Sequence, residues 1–134
     1  MKKLSFLLTV IFTVVFLGCS SDDNSGSGGS NRFNPPNWIH GTWLDMSESG
    51  YKFTSNNVCQ ITSFNQLCFK EMVDNYNATG AVEVSVDEEI KSNEEYKFSY
   101  TVAGVIQEYH FIKVSNTEIE VVSSFGVNPI LYKQ

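Results

Sequence analysis

Tyr96-Lys97-Phe98-Ser99-Tyr100-Thr101-Val102-Ala103-Gly104-Val105-Ile106-Gln107-Glu108-Tyr109-His110-Phe111 is the stretch that decides the fold of this 134-residue chain. Tyr96, Phe98, Tyr100 and Val102 alternate with polar residues, the period of a strand with one buried face. Beyond Ala103-Gly104, the residues Val105, Gln107, Tyr109 and Phe111 continue on the same parity. A two-residue turn at Ala103-Gly104 sets Phe98 opposite Tyr109 and Tyr96 opposite Phe111. Each such cross-strand pair contributes about 0.2–1 kcal/mol, and a one-residue slip would turn every ring to solvent, so the aromatic residues fix the register.

Working outward, short runs of strand character recur with turn residues between them. Residues 41–46, 50–54 and 58–62 read as strands, with Ser55-Asn56-Asn57 as a turn before the third. In 81–87, Val82, Val84 and Val86 alternate with Glu83, Ser85 and Asp87. Past Phe111 the parity shifts, which predicts a bulge or irregular turn around Ser115-Asn116 with Val114 and Ile119 facing inward. Strands at 119–123 and 128–132 follow, across Phe125-Gly126. One segment breaks the rhythm: Phe64, Leu67, Cys68, Met72 and Tyr76 fall at helical spacing, with Asn65, Lys70, Glu71 and Asp74 opposite. Ser63 and Gln66 offer a capping box and Gly80 a stop, so a helix over about 64–77 is expected. The fold class is therefore mainly β, an antiparallel up-and-down sheet or small barrel of about eight strands with one helix.

The ends of the chain locate it. Lys2 and Lys3 precede an apolar run over residues 4–17, too short to span a bilayer, which needs about 20 residues. It has the charge and length of a cleaved leader. Phe16-Leu17-Gly18-Cys19 closes the run and resembles the lipobox of bacterial lipoproteins. That resemblance implies a signal peptide over 1–18, cleavage before Cys19, and diacylglycerol and palmitate-type acylation on Cys19. Each buried methylene of such chains contributes about 0.8 kcal/mol of membrane affinity. Residues 19–36 then form a tether rich in serine, glycine and aspartate, and 37–134 a single domain of about one hundred residues, enough for one core. Asp22 and Asp23 resemble an export signal for the cell surface of Gram-negative bacteria, so an outer-membrane lipoprotein exposed at that surface is expected.

The chain carries 9 basic and 15 acidic residues, a formal charge of −6, which becomes −8 once Lys2 and Lys3 leave with the leader. Such a balance excludes nucleic acid as a partner, since phosphate neutralisation supplies most of that affinity. It equally disfavours lying flat on an anionic bilayer. His40 and His110 are the two histidines, and no zinc-protease, nucleophile-elbow, phosphate-loop or dinucleotide pattern occurs. Binding rather than catalysis is expected, with no metal site. No cofactor is expected beyond the covalent lipid on Cys19. Cys59 and Cys68 admit two readings, a disulfide worth about 2–3 kcal/mol or a pair of buried thiols.

Gly41-Thr42-Trp43 resembles the Gly-x-Trp with which lipocalins begin, and the layout of the domain is similar to small lipocalin-like lipoproteins of Gram-negative bacteria. The resemblance implies that Trp43 plugs the closed end of a barrel and that Lys133 covers it. It also implies a small hydrophobic ligand lined by residues among Trp43, Tyr51, Phe53, Tyr96, Phe98, Tyr109 and Phe111. The same side chains are large enough to fill so narrow an interior themselves. The alternative is then a structural or interaction lipoprotein with a filled core, meeting another envelope protein.

Overall fold

Nine antiparallel strands run in the order β4-β3-β2-β1-β9-β8-β7-β6-β5 and curl into a half-barrel in the computed structural model, which describes residues 32–134. The leader, Cys19 and the tether up to residue 31 lie outside the described residues. A 3-10 turn (Asn37–Ile39) leads into β1 (Gly41–Leu44), β2 (Gly50–Phe53), β3 (Val58–Thr62) and β4 (Asn65–Cys68). Helix α1 (Phe69–Thr79) follows, then β5 (Val84–Lys91), β6 (Glu95–Val102), β7 (Val105–Lys113), β8 (Glu118–Val121) and β9 (Ile130–Lys133). Every strand pairs with its neighbour in sequence except at one place. β9 returns to β1, while β4 and β5 form the two edges.

The decisive hairpin forms in the expected register, with Phe98 opposite Tyr109 and Tyr96 opposite Phe111. Its turn places Ala103 at φ 50° and Gly104 at φ 80°, the left-handed pair that a two-residue hairpin requires. On the inner face, Trp43, Phe53, Val58, Val86, Tyr96, Phe98, Phe111 and Ile119 are almost wholly buried. β1 and β2 approach so closely that a Cβ on Gly50 would lie 2.0 Å from the Trp43 carbonyl oxygen.

Three local expectations need correction. The helix begins at Phe69 rather than near 64, because Cys59 is bonded to Cys68 across the β3–β4 pair, with Cα atoms 3.9 Å apart, and this holds residues 65–68 as a strand. Phe64 is therefore an exposed hairpin tip. The buried stripe of α1 is Phe69, Met72, Val73 and Tyr76, again at helical spacing but displaced from the one read from sequence. The Ser63–Gln66 capping box does not form, since the Ser63 hydroxyl donates to the Ser47 carbonyl at 3.1 Å. Val114 is half exposed rather than inward; Ile119 is buried. The irregular turn expected around Ser115-Asn116 does form, with Val114 N and Ser115 N both bonded to the Glu118 carbonyl, at 3.1 and 3.0 Å, and a register break that the sequence does not announce falls between Glu88 and Ile90 in β5. The packed unit also reaches back before residue 37. Phe33 is 2% exposed and meets Phe98 edge-on at 5.3 Å, and Pro35 is buried.

The cap of α1 comes from another element. Asn57, in the β2–β3 turn, accepts a hydrogen bond from Lys70 N through Oδ1 at 3.0 Å and donates from Nδ2 to Glu71 Oε2 at 2.8 Å. One side chain thus satisfies an orphan amide of the first turn and holds the carboxylate beside the positive end of the helix. At the other end, Gly80 is left-handed and its N–H bonds the Tyr76 carbonyl at 3.1 Å.

Two variants check this architecture by urea denaturation of the full chain. Asn57→Ala loses the cap and is expected to cost about 1–2 kcal/mol. Phe69→Ala removes the ring between helix and sheet and is expected to cost about 3–5 kcal/mol. A Phe69→Ala loss below that of Asn57→Ala would show that the helix does not close the core.

Candidate functional site

Alternating strand directions sort the connections into two ends. The β2–β3, β5–β6 and β7–β8 turns share the closed end with the 3-10 turn. The β1–β2, β3–β4, β6–β7 and β8–β9 connections share the open end. At the closed end Trp43 donates from Nε1 to the Ile39 carbonyl at 2.6 Å, and Lys133 Nζ stands 5.0 Å from the centre of its ring. This is a plug with a cation over its π face.

Beside it, Glu88 turns inward just before the β5 register break. Its Oε1 accepts hydrogen bonds from the Tyr96 hydroxyl and from Asn34 N, both at 2.7 Å, and its Oε2 pairs with Lys91 Nζ at 3.2 Å. Burial, then the Glu88 charge, push the Tyr96 phenol well above its ordinary range. These contacts are structural; they seal the closed end.

Above them the interior is packed by rings. Phe98 stacks on Tyr109 at 5.0 Å, Phe111 meets Tyr51 and Phe53 edge-on at 5.0 Å each, and Phe69 lies 5.0 Å from Tyr109. Of the residues proposed to line a ligand, Trp43, Phe53, Tyr96, Phe98 and Phe111 are at most 1% exposed, and Tyr51 and Tyr109 are partly exposed toward the open end. All seven share the inner face and touch one another or the plug. Tyr100, on the buried face that the alternation predicts, belongs to the same cluster, as do Phe33 and Phe69, for which the sequence carries no such signal. Tyr100 carries a buried hydroxyl without a hydrogen-bond partner among the described residues. A cleft of about 190 Å³ remains at the open end, over Tyr51, Gln60, Val121 and Leu131.

The outer surface offers more. Met46, Phe64, Phe125 and Val127 sit on open-end loops and are 76–99% exposed. β7 outruns its neighbour: it pairs with β6 along its whole length but with β8 only from Phe111 to Lys113. A groove of about 690 Å³ lies along this overhang. Lys97, Ile106, Glu108 and His110 form one wall and residues 122–124 the other. His110 Nε2 is bonded to Glu95 Oε1 at 2.5 Å, and Lys97 Nζ bridges Glu89 at 2.6 Å and Glu108 at 3.4 Å. The single histidine and its carboxylate face no third ligand, and no group of three or more metal-binding side chains occurs among the described residues.

Burial, with the charge of Tyr109 second, raises the Tyr51 phenol from 10.0 to about 12. The folded state therefore holds its proton where the unfolded chain releases it. The stabilisation is complete below pH 10 and is lost as pH rises from there through about 12. Chemical denaturation across this window is expected to show falling stability, and Tyr51→Phe to flatten the slope. An equal slope in the variant would show that Tyr51 is as free to ionise in the fold as in the unfolded chain.

Comparison with protein-family models, with curated proteins and with solved structures returned no match.

Proposed function

We propose that this protein is a lipid-anchored, surface-exposed outer-membrane protein of a Gram-negative bacterium that works by binding another macromolecule through its exterior. The observation that carries the reading is a contrast. The inner face is occupied by its own aromatic side chains, while Met46, Phe64 and Phe125 stand 93–99% exposed on loops at one end. The Met46 and Phe64 turns adjoin, since the Ser63 hydroxyl donates to the Ser47 carbonyl at 3.1 Å, and exposed apolar groups gathered on neighbouring loop tips suit a surface that meets a partner. The described chain begins on the other side, where Asn34 meets Glu88 and Trp38 Nε1 donates to the Ser92 carbonyl at 2.7 Å. A tether attached there presents the open end away from its anchor. The charge of −8 that is left once Lys2 and Lys3 leave with the leader keeps such a domain soluble on its tether.

A small apolar ligand is the second reading, favoured by the cleft over Tyr51 and the unpartnered Tyr100 hydroxyl. At about 190 Å³ the cleft falls below the roughly 300 Å³ where small-molecule sites begin. The exterior reading is therefore preferred.

Native mass spectrometry of the full chain released from detergent micelles separates the two. The expected species carries covalent lipid and no other bound molecule, and Cys19→Ala moves the protein from the membrane to the soluble fraction. A stoichiometric apolar molecule retained by the folded protein would overturn the exterior reading. A Cys19→Ala protein that stays in the membrane would overturn the anchor.

A further inference from the structure

We infer that the overhanging edge of β7, from Val105 to Tyr109, is a strand-addition site for an extended peptide segment that alternates apolar and basic residues. This rests on the exterior reading above and assigns it a place and a partner chemistry.

Parity identifies which backbone groups are free. With a two-residue turn at Ala103-Gly104, Val105 pairs directly with Val102, and the N–H and C=O groups of 105, 107, 109 and 111 point toward β6. Those of Ile106, Glu108 and His110 point the other way, toward the side of β8. His110 confirms the phase, since its carbonyl accepts from Val122 N at 2.9 Å. Past that bond the β8–β9 loop turns away. Ser123 N bonds Asn128 Oδ1 at 3.0 Å and Gly126 N bonds the Ser123 carbonyl at 3.4 Å. Ile106 and Glu108 are left with backbone donors and acceptors facing an empty groove.

An unpaired, exposed edge of this kind is a template for another strand. Natural edges are commonly blunted by proline, by lysine or by a covering element. Here Val105 and Ile106 are instead 62% and 64% exposed on opposite faces of the edge. The far wall is formed by residues 122–124, and about 690 Å³ lies between it and this edge. Five residues of β7 span about 17 Å, so the segment is short.

Charge selects the occupant. Glu108 lines the groove, and the lysine and histidine that line it with Glu108 are already paired, Lys97 with Glu89 as well as Glu108 and His110 with Glu95, so the carboxylates outnumber the basic groups there. Side chains of an alternating strand fall on two faces, so its basic ones would lie beside Glu108 on the outer face and its apolar ones beside Val105 and Tyr109 on the inner face. A second copy of this acidic chain lacks that complement.

The test uses the 15N-labelled full chain in detergent micelles, titrated with a synthetic peptide alternating lysine and valine. Saturable binding is expected, with the Ile106 and Glu108 amides becoming protected from solvent exchange and the Gln107 amide, already bonded to β6, unchanged. Ile106→Pro removes an outward N–H and the exposed isoleucine side chain while leaving the bonds to β6 in place, a change that edge strands tolerate. It is expected to weaken binding about tenfold, the worth of one strong hydrogen bond. Protection of the two amides in unmodified protein decides the question even if that variant unfolds.

Absence of binding, or protection confined to other loops, overturns the site while leaving exterior binding intact. Equal affinity for a glutamate–valine peptide overturns the charge selection. Protected Ile106 and Glu108 amides in a dimer without peptide assign the edge to a second copy and overturn the proposal. A small apolar molecule that shifts Tyr51 and Tyr100 while Ile106 and Glu108 stay unmoved overturns the exterior reading itself.

Discussion

Between β4 and β5 the sheet lacks the hydrogen bonds that would make it a closed barrel, and the side of α1 joins its two edges instead. The helix packs against β3 and β4 on one side and β5 on the other. Phe69, its first residue, reaches the rings of Phe33, Phe98, Tyr100 and Tyr109 at centroid distances of 5.0–6.2 Å. Buried aromatic pairs contribute about 0.5–1.5 kcal/mol each beyond the area they bury. A residue in four of them links the helix to the β6–β7 hairpin and to the segment before the first strand. The positions of Cys68, Asn57 and Gly80 serve this placement: the disulfide ends β4, the asparagine starts the helix, and the glycine releases the chain toward β5.

Strand length explains why a helix rather than a hydrogen-bond ladder fills the seam. β4 has four residues and β5 eight, with the longest strands, β5 to β7, grouped on one side of the sheet. A ladder between such unequal edges would leave half of β5 unpaired, whereas a helix covers an edge by side-chain contact and needs no matching register. The same inequality acts a second time where β7 passes the end of β8. There no helix covers the excess, and the backbone groups of Ile106 and Glu108 stay open. The inner face has no such open edge, and the rings that unite helix and sheet occupy it.

How much of this was legible in the sequence depended on whether the signal was local. The β6–β7 register could be read from eight alternating residues because a two-residue turn and period-2 burial leave one solution. The Trp43–Lys133 contact was approached only through a family resemblance, since it joins positions at opposite ends of the domain. The helix start was misread because two apolar stripes share the segment: Phe64, Leu67 and Cys68 suit a helix as well as Phe69, Met72 and Val73 do. What chooses between them is the pairing of Cys68 with Cys59, a tertiary fact. Asn57 reads from the sequence as a turn residue, which it is, but its capping partners lie 13 and 14 positions away. Phe33 stands beside a run of polar and proline residues that gives no period at all. The free edge of β7 follows from the shortness of β8, which no pattern within β7 encodes.

Glu88 ties these pieces to whatever precedes the domain. Its side chain is 10% exposed, and an inward carboxylate is tolerated only where its lone pairs are satisfied. Tyr96, Asn34 and Lys91 satisfy them, and the register break after Glu88 lets β5 turn this side chain in while Glu89 remains outside to meet Lys97. Because Asn34 contributes a backbone N–H, the segment before the first strand is held by the same carboxylate that anchors Tyr96. Phe33, one residue earlier, is held by Phe98 and Phe69. A pull on the chain ahead of Arg32 therefore loads the aromatic core directly rather than peeling an outer strand. Such a joint is what the proposed N-terminal anchor would require, and it leaves the open end clear for the proposed partner.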